Sequence, residues 1–537
     1  MEWNLADLFE LVADTCPERV ALQHGLDGVT RTWHELERRA NALAGHFAGQ
    51  HKVGAKISVY AHNRPEFVET VIGAMKARLV PVNVNYRYLE DELIYLFDNS
   101  DSEIVVYEAT YAERIAKVRD RVSRVREWIE LEDGAPGNPF ATPYEQIAAA
   151  EAERLDIERS PRDLLFLYTG GTTGMPKGVM WEQSALFRSI GGGGNAVLGE
   201  RASESVEQQR RRIQEQARSQ RLLPGSPLMH GTGLFTSLTA LGGGGSVVTL
   251  RSRSLDPEEL WNTVEARGVQ ALSIVGDAFA KPMLRALEAH PDRWDLRSCV
   301  LIISSGVMWS PEVKRGLLRH LPHAILYDSF GSSEATGFGA ELTTKDSEAK
   351  VGKFQLGPNC KVFTPDGREV RPGSSEAGFV ARSGPIPVGY YKDEKKTAET
   401  FRTIDGERWS IPGDWCTVNQ DGTLNLLGRG SVCINTGGEK VYPEEIEESL
   451  KQHPLVYDAA VVGLPDERWG EAVTALVELR AGTAPTQEEL RAHVRERLAP
   501  YKAPKSVLFV DSIGRAPSGK VDYKALKARA REALGIA

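Results

Sequence analysis

A chain of 537 residues is too long for one hydrophobic core, since single cores stop growing at about 250–300 residues, so at least two domains are expected. With 41% hydrophobic and 26% charged residues it has a soluble globular composition, which excludes disordered and fibrous classes. The net charge of −9, with Lys and Arg scattered along the chain, argues against nucleic acid as a partner.

The N-terminus, MEWNLADLFELVAD, carries acids early and no basic leader, so it does not read as a signal peptide. No stretch approaches the roughly 20 apolar residues of a membrane helix, and membrane contact is expected to be peripheral at most. Five cysteines (Cys16, Cys299, Cys360, Cys416, Cys433) stand far apart without a CxxC, the pattern of a reduced, cytoplasmic protein with no zinc site.

Residues 1–160 alternate helix-like and strand-like stretches. Trp33 to Ala48 has apolar spacing near 3.6 behind Thr32, a natural N-cap. Lys56 to His62 reads as a strand, Phe67 to Ala77 as a helix, Leu79 to Val84 and Glu103 to Tyr107 as strands. This alternation predicts parallel sheets with covering helices.

Leu164 to Leu167 has the length of a buried strand, and Tyr168 to Met180 follows as YTGGTTGMPKGVM. Glycines let backbone N–H groups turn towards an anion, Thr169, Thr172 and Thr173 add hydroxyls, and Lys177 adds a compact positive charge. The run reads as a phosphate cradle. It is not a GxxxxGK[ST] loop, because Pro176 precedes the lysine.

Residues 191–221 are polar, with Arg210 to Arg212 in series, and read as a solvated surface helix; a flap at an acyl entrance is the alternative. Gly242 to Gly245 reads as a turn into a strand. Pro227 to Gly233 carries His230 within PLMHGTG. Val300 to Val313 reads as a buried strand, a small-residue turn at Ser305, Gly306 and Val307, and a helix starting near Ser310-Pro311. Then come DSFGSSE (Asp328 to Glu334), WSIPGDW (Trp409 to Trp415) and GRGSVCINTGGEKVYPEEIE (Gly428 to Glu447). Residues 441–537 look like a compact α+β domain, with helices at Pro443 to Gln452 and Thr486 to Leu498 and strands at Ala459 to Leu464 and Val473 to Leu479. Near its end stand LAPYKAP (Leu498 to Pro504) and RAPSGK (Arg515 to Lys520).

In this order the runs resemble those of the adenylate-forming superfamily: acyl-CoA synthetases, peptide-synthetase adenylation domains and beetle luciferases. The family forms are YTSGTTGxPKG, a Gly-Gly-Ala adenine loop, YGxTE, TGD, LPxYKxP and PRTxxGK, and VPVNVNYR (Val80 to Arg87) resembles its "vpvNpxy". The chain departs at Gly170, Phe330, Ser333, Pro412, Gly514 and Ala516, and at the hinge, where Ser431 and Val432 replace the usual acids.

The resemblance implies an α/β fold: a large N-terminal domain, 1–430, of parallel-rich sheets with covering helices, and a small mobile α+β lid, 431–537. It implies that Lys177 with Thr169, Gly170, Gly171, Thr172, Thr173 and Gly174 holds the departing phosphates of ATP. Ser305, Gly306 and Val307 lie against adenine, and Asp328, Ser329, Phe330, Gly331 and Ser333 continue the nucleotide site. Phe330 stacks on adenine, and Ser333 keeps a hydroxyl for the α-phosphate. Glu334 takes Mg²⁺, a hard cation that prefers oxygen ligands. His230 stands between acyl pocket and nucleotide. Asp414 suits the ribose hydroxyls, and Arg429 the ribose or phosphate. Gly437, Gly438 and Glu439 line the tunnel for coenzyme A, and Lys520 bridges carboxylate and α-phosphate.

The implied activity is that of an ATP-dependent carboxylate–CoA ligase. The phosphate loop and the Val432 to Glu447 run look like those of actinobacterial-type ligases for fatty acids and sterol side chains. That suggests a medium- or long-chain or bulky apolar acid, in a pocket drawn from 230–235, 275–279, 306–309 and 329–331. An aryl-acid ligase, an adenylation enzyme loading a carrier protein, a luciferase-like oxidative enzyme and a nucleotide-binding regulator without catalysis share parts of the pattern. A homodimer is left open.

Overall fold

The computed structural model describes residues 2–171, 174–193, 201–215, 220–307, 309–347, 353–429, 434–436, 439–441, 443–466, 470–498, 500–516 and 521–536. The chain divides into two compact units, 1–351 with 383–410, and 352–382 with 411–537.

The first unit carries two sheets. One runs in the order Gly389–Tyr390, Gly174–Glu182, Leu164–Gly171, Val80–Asn83, Lys56–Tyr60, Ser102–Glu108, Glu127–Leu131, Thr142–Pro143. From Leu164–Gly171 onward its neighbours are parallel, and the first two strands are antiparallel additions. The second has a parallel centre of Val20–His24, Ser246–Thr249, Arg221–Pro224, Ala271–Ile274, Leu301–Ser305 and Ile325–Ser332, edged by Thr30–Thr32 and Ala335–Thr343. Strands of this kind are buried on both faces, and Ile57, Val59, Val105, Val106, Leu272 and Ile302 are almost fully buried.

The covering helices start where their caps dictate. Thr32 and Glu35 form a reciprocal capping box at the head of Trp33–Gln50, whose buried face includes Trp33, Leu36, Ala40, Leu43 and Phe47. Asp256 caps Pro257–Arg267, and left-handed Gly268 ends it. In the second unit, Lys353–Leu356, Thr423–Arg429, Asp414–Val418, Ala377–Arg382 and Cys360–Phe363 are joined as antiparallel neighbours. A mixed sheet centred on Val456–Asp466 and Gly470–Leu479 packs helices Pro443–Lys451, Gln487–Arg495 and Tyr523–Leu534.

The expected α/β architecture with a smaller α+β part is observed. One expectation is corrected. Within the polar run 191–221 the helix Val206–Glu215 is not simply solvated: Ile213 and Gln209 are fully buried. The Gln209 amide donates to the Gly242 carbonyl at 3.0 Å, and Arg212 donates to the carbonyl of Arg201 and the hydroxyl of Ser203. Among the described residues no helix is long and apolar enough to cross a membrane. Cys16, Cys299, Cys360 and Cys416 are buried free thiols, and burial pushes Cys299 up to about 12 and Cys360 to about 11, so neither is a ready nucleophile.

Candidate functional site

The glycine- and threonine-rich run is the end of a β-hairpin. Leu164–Gly171 pairs antiparallel with Gly174–Glu182, setting Tyr168 opposite Gly178 and Thr169 opposite Lys177. Thr172 and Thr173 lie outside the described residues. A Cβ on Gly178 would fall 2.6 Å from the Tyr168 ring, so only glycine fits across from that tyrosine. Lys177 is partly exposed and forms an ion pair with Asp393, whose pKa is lowered chiefly by that contact. Asp393 also caps Glu394–Thr400, accepting from the Lys396 N–H at 2.9 Å.

Glu334 stands at the tip of a second hairpin. Ile325–Ser332 and Ala335–Thr343 are antiparallel, and Ser332 pairs with Ala335, leaving Ser333 and Glu334 as the turn. The turn is tied down from both sides: Trp181 Nε1 donates to the Ser333 carbonyl at 3.0 Å, and Ser410 Oγ donates to the Glu334 carbonyl at 2.8 Å. The Tyr390 hydroxyl donates to one Glu334 carboxylate oxygen at 2.7 Å. Tyr390 itself pairs with Val179, two residues beyond Lys177. The short segment 390–393 thus ties the phosphate hairpin to the Glu334 turn.

Two asparagines fix the approach to His230. Asn83 ends its strand, donates to the carbonyls of Tyr168 (2.9 Å) and Met229 (2.5 Å), and accepts from the Tyr168 N–H at 2.6 Å. Asn63 donates to the carbonyls of Pro224 and Ser226, both at 3.0 Å, and accepts from the Leu228 N–H at 2.7 Å. His230 then stands at the N-cap position of the helix Gly231–Gly242, without a side-chain capping bond.

The turn after Leu301–Ser305 is open where a flat ring would need room. Gly306 has φ +93°, and a Cβ there would meet only Val275 Cγ1, at 3.8 Å. Ser305 and Val307 beside it are half-buried. Phe330 is buried and tilts against Phe338, with ring centroids 5.4 Å apart. Ser329, Gly331 and Ser333 are half-buried on the same hairpin.

Three members of the expected acyl pocket need correction. Trp309 is 1% exposed within the core beside Leu317 and Leu318, so it does not line a cavity. A Cβ on Gly233 would fall 2.4 Å from the Pro227 carbonyl, so this glycine permits a close backbone approach rather than room for substrate. At Gly231 a Cβ would already meet Leu167 at 3.2 Å.

The Asp328 carboxylate faces a buried cation that no motif announced. Lys314, fully buried, donates to Asp328 at 2.9 Å and to Glu341 at 2.7 Å. Burial pushes Asp328 up from 3.8 to about 6, against the pull of Lys314. Burial also works against the Lys314 ammonium, yet the two carboxylates outweigh it and raise its pKa. Both values rise, which favours a neutral Asp328 and a charged Lys314, and the stoichiometry explains it: one carboxylate neutralises the lysine, and the second is left as an uncompensated buried charge. Because the folded-state pKa of Asp328 lies above its ordinary value, its contribution to stability is complete below about pH 4 and lost as pH rises through about 6. Lys314→Met should therefore destabilise the protein by about 3–5 kcal/mol at pH 7 and by less at pH 5, where Asp328 can take a proton. Urea unfolding at the two pH values measures this; an equal loss at both would show that Asp328 does not titrate there.

In the second unit Asp414 is buried and pairs across the ladder with Arg429. Gly428 has φ +115°, and a Cβ there would collide with the Glu444 carboxylate at 2.0 Å, so Arg429 follows an obligatory glycine. Glu439 opens the strand Glu439–Val441 opposite Thr436. Ser431, Val432, Gly437, Gly438 and Lys520 lie outside the described residues. The chain on either side of residues 517–520 is anchored: Arg515 makes a two-pronged ion pair with Asp458 at 2.6 and 2.9 Å, and the Tyr523 hydroxyl donates to buried Glu447 at 3.0 Å. Burial raises the pKa of Glu447.

Among the described residues no group of three His, Cys, Asp or Glu gathers around one point. Glu334, with one oxygen held by Tyr390 and the other without a protein partner among the described residues, suits a metal that arrives with most of its ligands. Mg²⁺ carried by nucleotide phosphates is such a metal. The residues that sequence reasoning missed are Tyr390, Asp393, Asn63 and Lys314. None stands in a quoted motif, and each acts through a contact made only by the fold.

Residues 9–391 match the family model described as AMP-binding enzyme, and residues 445–520 match the AMP-binding enzyme C-terminal domain. The chain is 43% identical over 531 residues to a protein of Mycobacterium tuberculosis named medium/long-chain-fatty-acid–CoA/3-oxocholest-4-en-26-oate–CoA ligase, covering 97% of this chain and 95% of the other. It is 43% identical over 542 residues to a 3-oxocholest-4-en-26-oate–CoA ligase of Rhodococcus rhodochrous, covering 98% and 95%. Among solved structures, ATP-bound MatB from Rhodopseudomonas palustris superposes with a TM-score of 0.81 at 25% identity, covering 98% of this chain and 99% of that one. With both family models matched in sequence and full-length relatives on either side, the chain belongs to the AMP-binding enzyme family, among its acyl-CoA synthetases.

Proposed function

We infer that this AMP-forming acyl-CoA synthetase activates medium- or long-chain fatty acids or ring-bearing, sterol-derived acids of similar bulk. The named substrates of relatives 43% identical to the chain support the substrate class. The observation that carries the site is the 390–393 segment, which holds both Lys177 and Glu334.

In the first half-reaction a carboxylate oxygen of the acid attacks the α-phosphorus of ATP. The bond to the β-phosphate bridge breaks, giving acyl-adenylate and pyrophosphate. Lys177 and the hairpin residues Thr169 to Gly174 hold the departing phosphates. Ser305 to Val307 with Asp328 to Gly331 hold the adenosine, and the Ser333 hydroxyl meets the α-phosphate. Asp414 and Arg429 hold the ribose. Glu334 would hold Mg²⁺, which supplies charge neutralisation on the phosphates. Lys520 places a point charge between carboxylate and α-phosphate as they approach.

In the second half-reaction the thiol of coenzyme A attacks the acyl carbonyl, loses its proton and displaces AMP. We place the mobile lid at 431–537, hinged at Ser431, with Gly437, Gly438 and Glu439 along the path of the pantetheine arm. One active site then serves both steps through a domain motion. The enzyme is placed in the cytoplasm, where ATP and coenzyme A are supplied. Its partner is the acid itself, with at most a peripheral membrane contact and no nucleic acid.

A panel of acids assayed for CoA-dependent AMP release tests the substrate class. Medium- and long-chain or ring-bearing acids should give a higher kcat/KM than acetate, because Gly306 leaves space beside Val275. A preference for acetate would remove this reading.

Asn83 offers a second test. Its amide joins the phosphate hairpin to the residue before His230. Asn83→Ala should lower kcat for adenylation by about 10- to 100-fold, the scale on which small misplacements act. Normal kcat with a lowered Tm would restrict Asn83 to folding.

A further inference from the structure

A cleft of about 370 Å³ opens in the first unit, lined by Arg19, Gln23, Arg221, Ser246 and Arg267. Gln23, Ser246 and Arg221 come from adjacent parallel strands: Leu22 pairs with Val247, and Arg221 with Ser246. Arg221 and Ser246 begin their strands. The adenine loop at Ser305 to Val307 follows the carboxyl end of a parallel strand in the same sheet. The cleft is therefore at the opposite edge from the nucleotide site.

Three guanidinium groups surround it, and among the described residues none pairs with a carboxylate. Their recorded partners are carbonyls. Arg19 donates to Ile213 at 2.8 Å, Arg221 to Arg267 at 2.8 Å, and Arg267 to Gly25 at 3.1 and 3.2 Å. Carbonyls orient the guanidinium planes without neutralising them; Arg221 is exposed and Arg19 and Arg267 are half-buried, so the positive charge faces solvent, on a chain whose net charge is −9. Two further polar side chains line the cleft, and their polar atoms reach its solvent. Gln23 is 9% exposed and Ser246 2%, and neither the amide nor the hydroxyl makes a hydrogen bond among the described residues. An amide and a hydroxyl open to the cleft beside three cations suit an anion with polar substituents.

We propose that this cleft binds the phosphate group of a phosphorylated small molecule. A carboxylate would leave most of the charge uncompensated, whereas arginine forks match phosphate oxygens two at a time. The volume lies at the low end of small-ligand sites, about 300–1,000 Å³, and leaves room for more than a bare phosphate. The phosphate can come from a soluble nucleotide-sized metabolite or from a lipid headgroup, and the test separates the two.

Full-length protein with its nucleotide site saturated by a non-hydrolysable ATP analogue is titrated calorimetrically with pyrophosphate. In parallel it is sedimented with phosphatidylcholine vesicles with and without phosphatidic acid. Binding to either probe is expected, and the probe that binds names the source. Arg19→Gln with Arg221→Gln should weaken that binding at least about tenfold, the loss expected for charge-assisted hydrogen bonds, while CoA-ligase turnover is unchanged. Gln23→Leu alters no charge and should weaken it several-fold, which a diffuse basic patch would not show; it also serves if the double variant folds poorly. Binding of neither probe, or binding unchanged in both variants, overturns the proposal.

Discussion

Replacing Lys520 by alanine is expected to lower acyl-adenylate formation by about 100- to 1,000-fold, the cost of removing one charge-stabilising group from a closed site. Thioester formation from acyl-adenylate supplied ready-made should be largely spared. The asymmetry follows from where charge develops. In the first step a carboxylate approaches a polyanionic α-phosphate, and a cation between them offsets their repulsion. In the second step a thiol attacks a neutral carbonyl, and a lysine on a lid that has turned away has nothing to offset. Arg515 and Tyr523, anchored on Asp458 and Glu447, fix the chain on both sides of the lysine-bearing run to the body of the second unit. Pyrophosphate release and CoA consumption report the two steps separately. Equal slowing of both would reject the rotating lid, or Ser431 as its pivot. No slowing would make Lys520 a surface lysine.

What could be read in advance was what depends on neighbours in the chain. Thr32 and Glu35 announce the helix Trp33–Gln50, because a capping box needs only residues three apart. Ser310-Pro311 does the same for Pro311–His320. The pairing of Tyr168 with Gly178 was not readable, since glycine-rich runs carry little strand preference and the hairpin is set by a partner strand. The helix Val206–Glu215 buries just Gln209 and Ile213, too few for an apolar stripe, so its docking was invisible. The same limit applies within the site. Glu334, Lys177 and His230 stood in recognisable runs, whereas the Tyr390 hydroxyl meets Glu334 across 56 positions and Asn63 meets Leu228 across 165. Such partners are chosen by the fold. Lys314 is the extreme case: a lysine on an ordinary helix reads as solvated, and only Asp328 and Glu341 explain its burial.

Glu334→Gln is expected to reduce Mg-ATP-dependent adenylation by about 100-fold or more while the protein stays folded. The amide keeps the shape of the carboxylate and one oxygen to accept from Tyr390, and Trp181 and Ser410 hold the turn through backbone carbonyls that the substitution leaves untouched. Folding should therefore change little. What is lost is the negative charge. Mg²⁺ prefers anionic oxygen and brings water and phosphate ligands of its own, so a single protein carboxylate decides whether it settles at this turn. Stabilisation of transition-state charge by such a metal is worth several kcal/mol. Tyr390→Phe is the informative companion. It keeps the charge and removes only the hydrogen bond that aims it, so adenylation should fall less, with the Mg²⁺ concentration for half-maximal rate raised. Pyrophosphate release measured across a Mg²⁺ titration distinguishes the three proteins. If Glu334→Gln releases pyrophosphate like the parent at every Mg²⁺ concentration, the carboxylate has no part in holding the metal, and the turn that Trp181, Tyr390 and Ser410 fix in place serves the fold alone.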